Sequence, residues 1–98
     1  MKRVDRAHFV ANAADAYYDA PFSIGHGVTI SAPHMHAMCL ELLEEQLRPG
    51  ARALDVGSGS GFLAVAMALM TESQGKVHAI DVIEPLVEKS IENVRKRY

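Results

Sequence analysis

Ala53-Leu54-Asp55-Val56-Gly57-Ser58-Gly59-Ser60-Gly61-Phe62 reads as a buried strand that ends in a carboxylate and runs into a glycine loop opening a helix. The spacing Gly57-x-Gly59-x-Gly61 is tighter than the G-x-G-x-x-G dinucleotide fingerprint. It lets the backbone turn sharply, with no Cβ where a ligand must approach. Asp55 sets the sign of that ligand. A pyrophosphate would be repelled by a carboxylate this close, whereas a ligand carrying a sulfonium and an ammonium would be attracted. Asp81 follows Gly61 by 20 positions, at the end of the apolar run Val77-His78-Ala79-Ile80. An acidic side chain there can accept hydrogen bonds from two ribose hydroxyls. Glycine spacing and Asp55 together disfavour a nicotinamide-dependent oxidoreductase.

Outward from this run, the pattern is a helical lead-in, a polar loop, and then helix, strand, helix, strand, helix. Residues 5–17 carry Phe9 and Val10 among alanines and predict a short helix. Pro21, Gly25 and Gly27 punctuate residues 18–31, a segment too irregular for a regular element. Ser31 is placed to cap the next helix, with Pro33 in its first turn, where a missing N–H costs nothing. Met35, Met38, Cys39, Leu42, Leu43 and Leu47 continue it at helical spacing, and Pro49-Gly50 ends it. The helix over 61–71 is apolar on most sides and predicts packing against a sheet. After Asp81, Glu84-Pro85 starts a last helix with Leu86, Val87, Ile91 and Val94 as its buried stripe, and Glu92 and Lys96 pair on its outer face. Strand, helix, strand in parallel predicts an α/β domain. Parallel sheets are normally covered on both faces and hold about 5 strands or more, yet only two strands are found. The chain is therefore read as the N-terminal portion of one larger domain over 1–98, truncated after the second strand and its following helix. Residues 1–47 are the helical lead-in and cofactor-covering loop, and 48–98 the cofactor-binding β-α-β-α unit.

Composition excludes several classes. The 98 residues are 49% apolar and 22% charged, with a net charge of −2. That balance shows no basic patch for nucleic acid. The start Met1-Lys2-Arg3 has no apolar stretch behind its charges, and no run is long enough to span a membrane. The single cysteine, Cys39, cannot form an internal disulfide, so the cytosol is the expected compartment.

The block Ile24-Gly25-His26-Gly27-Val28-Thr29-Ile30-Ser31-Ala32-Pro33-His34-Met35-His36-Ala37, followed by the glycine loop, resembles the protein-L-isoaspartate (D-aspartate) O-methyltransferase family. Val4-Asp5-Arg6 with Phe9-Val10, Tyr18-x-Asp-x-Pro21, Gly75-Lys76-Val77 and Asn93-Val94-Arg95-Lys96 also look like that family's pattern. The resemblance implies a class I S-adenosylmethionine-dependent methyltransferase domain of Rossmann-like α/β fold. It implies methyl transfer from S-adenosyl-L-methionine, leaving S-adenosyl-L-homocysteine, to the free α-carboxylate of L-isoaspartyl residues in damaged proteins, and possible acceptance of D-aspartyl sites. The ester then closes to a succinimide, whose hydrolysis restores some aspartate. An attacking carboxylate is ionised at neutral pH, so no strong general base is required, and positioning and water exclusion must supply the rate.

Carried over by residue, the resemblance makes Ser31 the catalytic serine, and Ile24, Gly25, His26 and Gly27 a loop closing over the cofactor. His36 becomes a cofactor contact. Ser60, beside Asp55 and Gly57, faces the methionine carboxylate, and Asp81 and Val82 meet the ribose and adenine edge. Many relatives carry a polar residue where Val82 stands. Plainer roles stand beside these: a helix cap for Ser31, a surface turn for Gly25 and Gly27, a structural histidine for His36. No metal is expected, because His34 and His36 point to nearly opposite sides of a helix and Cys39 completes no tetrahedral set. Gly57-Ser58-Gly59-Ser60-Gly61 contains the G-x-S-x-G string of hydrolases, but the last histidine is His78 and none follows it to complete a triad. The alternative to an active methyltransferase is a catalytically incompetent fragment or binding remnant of one. Oligomeric state is not legible.

Overall fold

The computed structural model describes residues 4–97 and, within the last helix, side chains up to Arg95. The Met1-Lys2-Arg3 start lies outside the described residues, as does the Lys96 side chain expected to pair with Glu92. Two 3₁₀ turns, Arg6–Phe9 and Ala13–Asp15, precede a hairpin of β1 (Phe22–Gly25) and β2 (Val28–Ile30). Then follow α1 (Pro33–Leu42), β3 (Arg52–Val56), α2 (Phe62–Thr71), β4 (Lys76–Ile80) and α3 (Glu84–Arg97).

The expected β-α-β-α order is present from residue 52 onward. β3 and β4 pair in parallel, from Arg52 opposite Lys76 to Val56 opposite Ile80. α2 lies between them in sequence and packs on one face of the pair through Phe62, Val65 and Ala66, all buried. Phe62 is the hub of the core: Phe9 meets it edge-on at 5.6 Å, and Ile30, Leu40, Leu47 and Met67 belong to the same cluster. Alternation along the strands leaves the other face bare, with Leu54 60%, Val56 71% and Ile80 50% exposed.

Three segments differ from the sequence reading. The helix expected over 5–17 is two 3₁₀ turns. Asp5 accepts from Ala7 N–H and Asn12 from Ala14 N–H, each at 3.0 Å. These side chains satisfy the local donors without a helix and hold their own backbones extended. The segment 18–31, read as irregular, contains the β1–β2 hairpin. Its tip, Gly25-His26-Gly27, turns with φ of 92°, 56° and 74°, a left-handed sequence that glycine permits and that joins the two short antiparallel strands. The helix expected to reach Leu47 tightens at Leu43, whose N–H is shared between the carbonyls of Cys39 and Glu41.

The return into β4 depends on Gly75. A Cβ there would collide with the Cβ of Thr71, which is buried and held by bonds from its hydroxyl to the carbonyls of Met67 and Ala68. Gly75→Ala is expected to cost about 1–3 kcal/mol by overpacking, read as a fall in Tm by circular dichroism relative to wild type.

Candidate functional site

β3 delivers Asp55 to the point where the chain must turn. Gly57, Gly59 and Gly61 all adopt positive φ, and Gly61, at φ 99°, stands as the N-cap of α2. The turn is pinned from the neighbouring strand, because the Ile80 carbonyl accepts from the N–H groups of both Gly57 (2.8 Å) and Ser58 (3.0 Å). Asp81 completes the hold: one oxygen accepts from Gly59 N–H and the other from Ile83 N–H, each at 3.0 Å. Ile83 and then Gly59 keep the Asp81 carboxyl below the ordinary carboxylate range. On the far side, Asn93 of α3 donates to the Ser60 carbonyl at 3.1 Å, fixing the loop to the last helix.

Over this loop lies a cavity of about 240 Å³. The hairpin, α1, the end of β3 and the start of α2 wall it. Ile24, Ser31, His36, Asp55, Gly57 and Ser60 line it. The β1–β2 register is irregular between Ser23 and Gly25, and a bulge of this kind re-aims the side chain it contains, here Ile24. Ile24 leans on the loop closely: a Cβ on Gly59 would stand 3.1 Å from its Cδ1. Gly25, His26 and Gly27 form the tip of the hairpin and do not line the cavity. Val82 is 99% exposed and is not among the lining residues either.

Asp55 has the least ordinary environment. Its Oδ2 is buried and accepts no hydrogen bond, and burial, reinforced by the Asp81 charge, raises its pKa. A buried acceptor without a partner costs free energy until a donor arrives. This is the feature an ammonium would satisfy, and the residues present fit such a group.

Ser31 is exposed at the cavity and does not cap α1. The cap position belongs to Ala32, and no side chain on the same segment satisfies the first turn. Asp19, 15 residues upstream, does so instead, accepting from His34 N–H at 3.0 Å and meeting the His34 ring at 2.8 Å. This releases the Ser31 hydroxyl from the capping role. His34 and His36 separate as the helix geometry requires, the first exposed and the second buried against Phe62 at 4.8 Å between ring centroids. Among the described residues no group of three His, Cys, Asp or Glu side chains is placed to hold a metal ion.

Two residues of the site escaped the reading by motif. Arg6 bonds the Ser31 carbonyl at 2.8 Å and lies 3.1 Å from His36 Nδ1, and Asn93 holds Ser60. Both fall in short blocks that resembled the family pattern, but nothing at the level of residue spacing ties them to the loop.

A parallel β-α-β unit with a carboxylate and a glycine loop at the end of its first strand, a second carboxylate after the next, and helices on one face defines the N-terminal part of a class I methyltransferase fold. The family model for "Protein-L-isoaspartate(D-aspartate) O-methyltransferase" matches residues 1–98. The chain belongs to that family. Protein-L-isoaspartate O-methyltransferase 1 of Arabidopsis thaliana is 52% identical over 94 residues, covering 96% of this chain and 41% of the relative. The Caenorhabditis elegans protein-L-isoaspartate O-methyltransferase is 51% identical over 98 residues, covering all of this chain and 43% of the relative. Among solved structures, a Plasmodium falciparum protein described as a putative protein-L-isoaspartate O-methyltransferase in complex with S-adenosyl-L-homocysteine superposes with a TM-score of 0.90 at 43% identity. That match covers 98% of this chain and 45% of the other. The chain thus spans less than half the length of these proteins. No helix among the described residues is long and apolar enough to cross a membrane.

Asp81 offers a test of how the loop is held. Its folded-state pKa is depressed, so its stabilising contribution is complete above the unfolded value of about 3.9 and is lost as pH falls through the folded one. Asp81→Ala should melt below wild type at neutral pH, and the two Tm curves should converge as pH falls below the unfolded value of about 3.9 and through the depressed folded one. A gap that stays constant with pH would mean that the loop is not held through the ionised Asp81 carboxylate.

Proposed function

We propose that the cavity binds the methionine end of S-adenosylmethionine and that this chain is the cofactor-binding part of a methyltransferase acting on isoaspartyl residues of proteins. The observation that carries the reading is the buried, unpartnered Asp55 oxygen at the mouth of the glycine loop, a site waiting for a cationic donor. The Plasmodium relative, so similar in fold, was crystallised with S-adenosyl-L-homocysteine. In this reading Asp55 receives the ligand's ammonium, and the N-terminus of α2, with the backbone around Ser60, receives its carboxylate. Asp81 keeps a lone pair on each oxygen beyond its bonds to Gly59 and Ile83, which leaves it able to accept from the ribose hydroxyls. Ile24 and the 25–27 tip form the flap over the ligand, and His36 forms its inner wall. Val82 meets the adenine edge through its backbone environment rather than through a directed side chain.

S-adenosylmethionine supplies the electrophilic methyl group when bound. The substrate's α-carboxylate supplies the electron pair, so the protein's work is to orient that carboxylate and exclude water. Ser31, free of any capping bond, donates its hydroxyl to the carboxylate. Residues 1–47 then serve as cover and substrate edge, and 48–98 as the cofactor platform. The reaction and its protein substrates are assigned to the whole enzyme that the relatives represent.

Two measurements test this. Labelled methyl from S-adenosylmethionine should pass to an isoaspartyl peptide and not to its aspartyl isomer, and Ser31→Ala should lower kcat with little change in S-adenosylhomocysteine affinity. Transfer to both peptides alike would overturn the substrate assignment. Second, because an ammonium favours ionised Asp55, S-adenosylhomocysteine affinity should rise as pH rises through the elevated pKa of Asp55 and level off above it. Asp55→Asn should flatten that profile and weaken binding by about 1.5–3 kcal/mol, the worth of a hydrogen bond to a charged group, as read by calorimetry.

A further inference from the structure

Arg6 is 4% exposed, yet its described bonds all go to uncharged acceptors. Nε donates to the Ala16 carbonyl at 2.9 Å and Nη2 to the Ser31 carbonyl at 2.8 Å, Nη1 lies 3.1 Å from His36 Nδ1, and the guanidinium sits 5.4 Å above the centre of the Phe62 ring. Asp19 attracts it from a distance while bonding His34. A guanidinium carries five donors and no acceptor and does not lose its proton in proteins. The contact with His36 therefore has one possible direction: Arg6 donates and Nδ1 accepts. An imidazolium, or a ring protonated at Nδ1, would set two donors head to head. Stacking of His36 on Phe62, at 4.8 Å and 23° between planes, fixes the ring that makes this bond.

We propose that Arg6 is a positioning residue of the site, holding His36 as the neutral Nε2–H tautomer while it fixes the backbone of Ser31. The cavity wall then offers at His36 a single polar atom, an N–H donor, and never an acceptor or a cation. A buried guanidinium is the right device, because a lysine presents one compact head and cannot hold three acceptors in a plane. The titratable groups around the ring are Arg6 on the N-terminal turn, Cys39 on α1 itself and Asp55 across the cavity; α2 presents Phe62 and Leu63, which do not titrate. Burial first, and the Arg6 charge second, push His36 down to about 4, in keeping with a ring that stays neutral.

The tautomer follows from geometry alone, whereas its use in ligand binding rests on the reading of the cavity given above. Nitrogen-resolved NMR of the imidazole separates the two. In the wild-type chain His36 should show a protonated Nε2 and a bare Nδ1, unchanged on acidification to about pH 5. Arg6→Met, which keeps the buried stem and removes the donor, should raise the His36 pKa by about one unit or more, a tenfold gain in proton affinity, and populate the second tautomer. Arg6→Lys should restore the Nε2–H form in part. A wild-type ring protonated at Nδ1, or charged at pH 6, would overturn the proposal, and that spectrum decides the matter even if Arg6→Met does not fold. An Arg6→Met ring identical to wild type would overturn it equally. S-adenosylhomocysteine titrated into the same samples reads the other question: a correct tautomer with no ligand response would count against the cavity assignment and leave the Arg6 role intact.

Discussion

The left-handed backbone of the 57–61 loop is the constraint on which the rest depends. β3 can deliver a carboxylate to its end and α2 can begin within a few residues only if the chain reverses through dihedrals that side chains resist. Once it does, the loop amides face the end of β4, where the Ile80 carbonyl and Asp81 take three of them. The strand pairing and the loop are thus one structure. Shifting the β3–β4 register by a residue would remove these acceptors and turn Asp55 to the bare face of the sheet. Its burial, its raised pKa and its lack of a partner all follow from the turn beginning two residues later.

A second layer is the N-terminal cover. It has little regular structure of its own, and side chains hold it: Asp5 and Asn12 at the 3₁₀ turns, Asp19 reaching the first turn of α1, and Arg6 joining three segments. Phe9 and Phe62 supply the apolar part of the join. Polar bonds carry the geometry and ring packing most of the free energy, because the polar bonds exchange for water with small net gain whereas aromatic burial does not.

The legibility of the sequence follows this division. The Gly57, Gly59, Gly61 spacing and the apolar runs on either side reported the β-α-β unit because local conformation and burial pattern agreed there. The lead-in failed for the opposite reason: alanine-rich residues 5–17 have the propensity for a helix, but Asp5 and Asn12 offer the backbone other partners. Ser31 looked like a cap because cap residues are recognised by nearness in sequence, and the actual acceptor, Asp19, lies 15 positions away. The hairpin hid behind two glycines whose turn is obvious only once both strands are seen paired. Arg6 and Asn93 show the same limit, since each acts across 25 to 33 residues on a carbonyl that carries no sequence signature.

Arg6 also bears on the order in which the molecule opens. The β3-α2-β4 unit closes on itself within 29 residues, from Arg52 to Ile80, whereas the three bonds of Arg6 span 10, 25 and 30 positions. If such a clasp releases as a unit while the strands stay paired, residues 4–20 would form a separate cooperative segment in the sense of native-state hydrogen exchange. In the reading proposed above, a ligand in the cavity meets Ser31 and His36, which the clasp also holds. Under that reading, occupancy of the cavity and closure of the N-terminal segment would be linked equilibria, and amide protection in residues 4–20 would gauge ligand bound some distance along the chain.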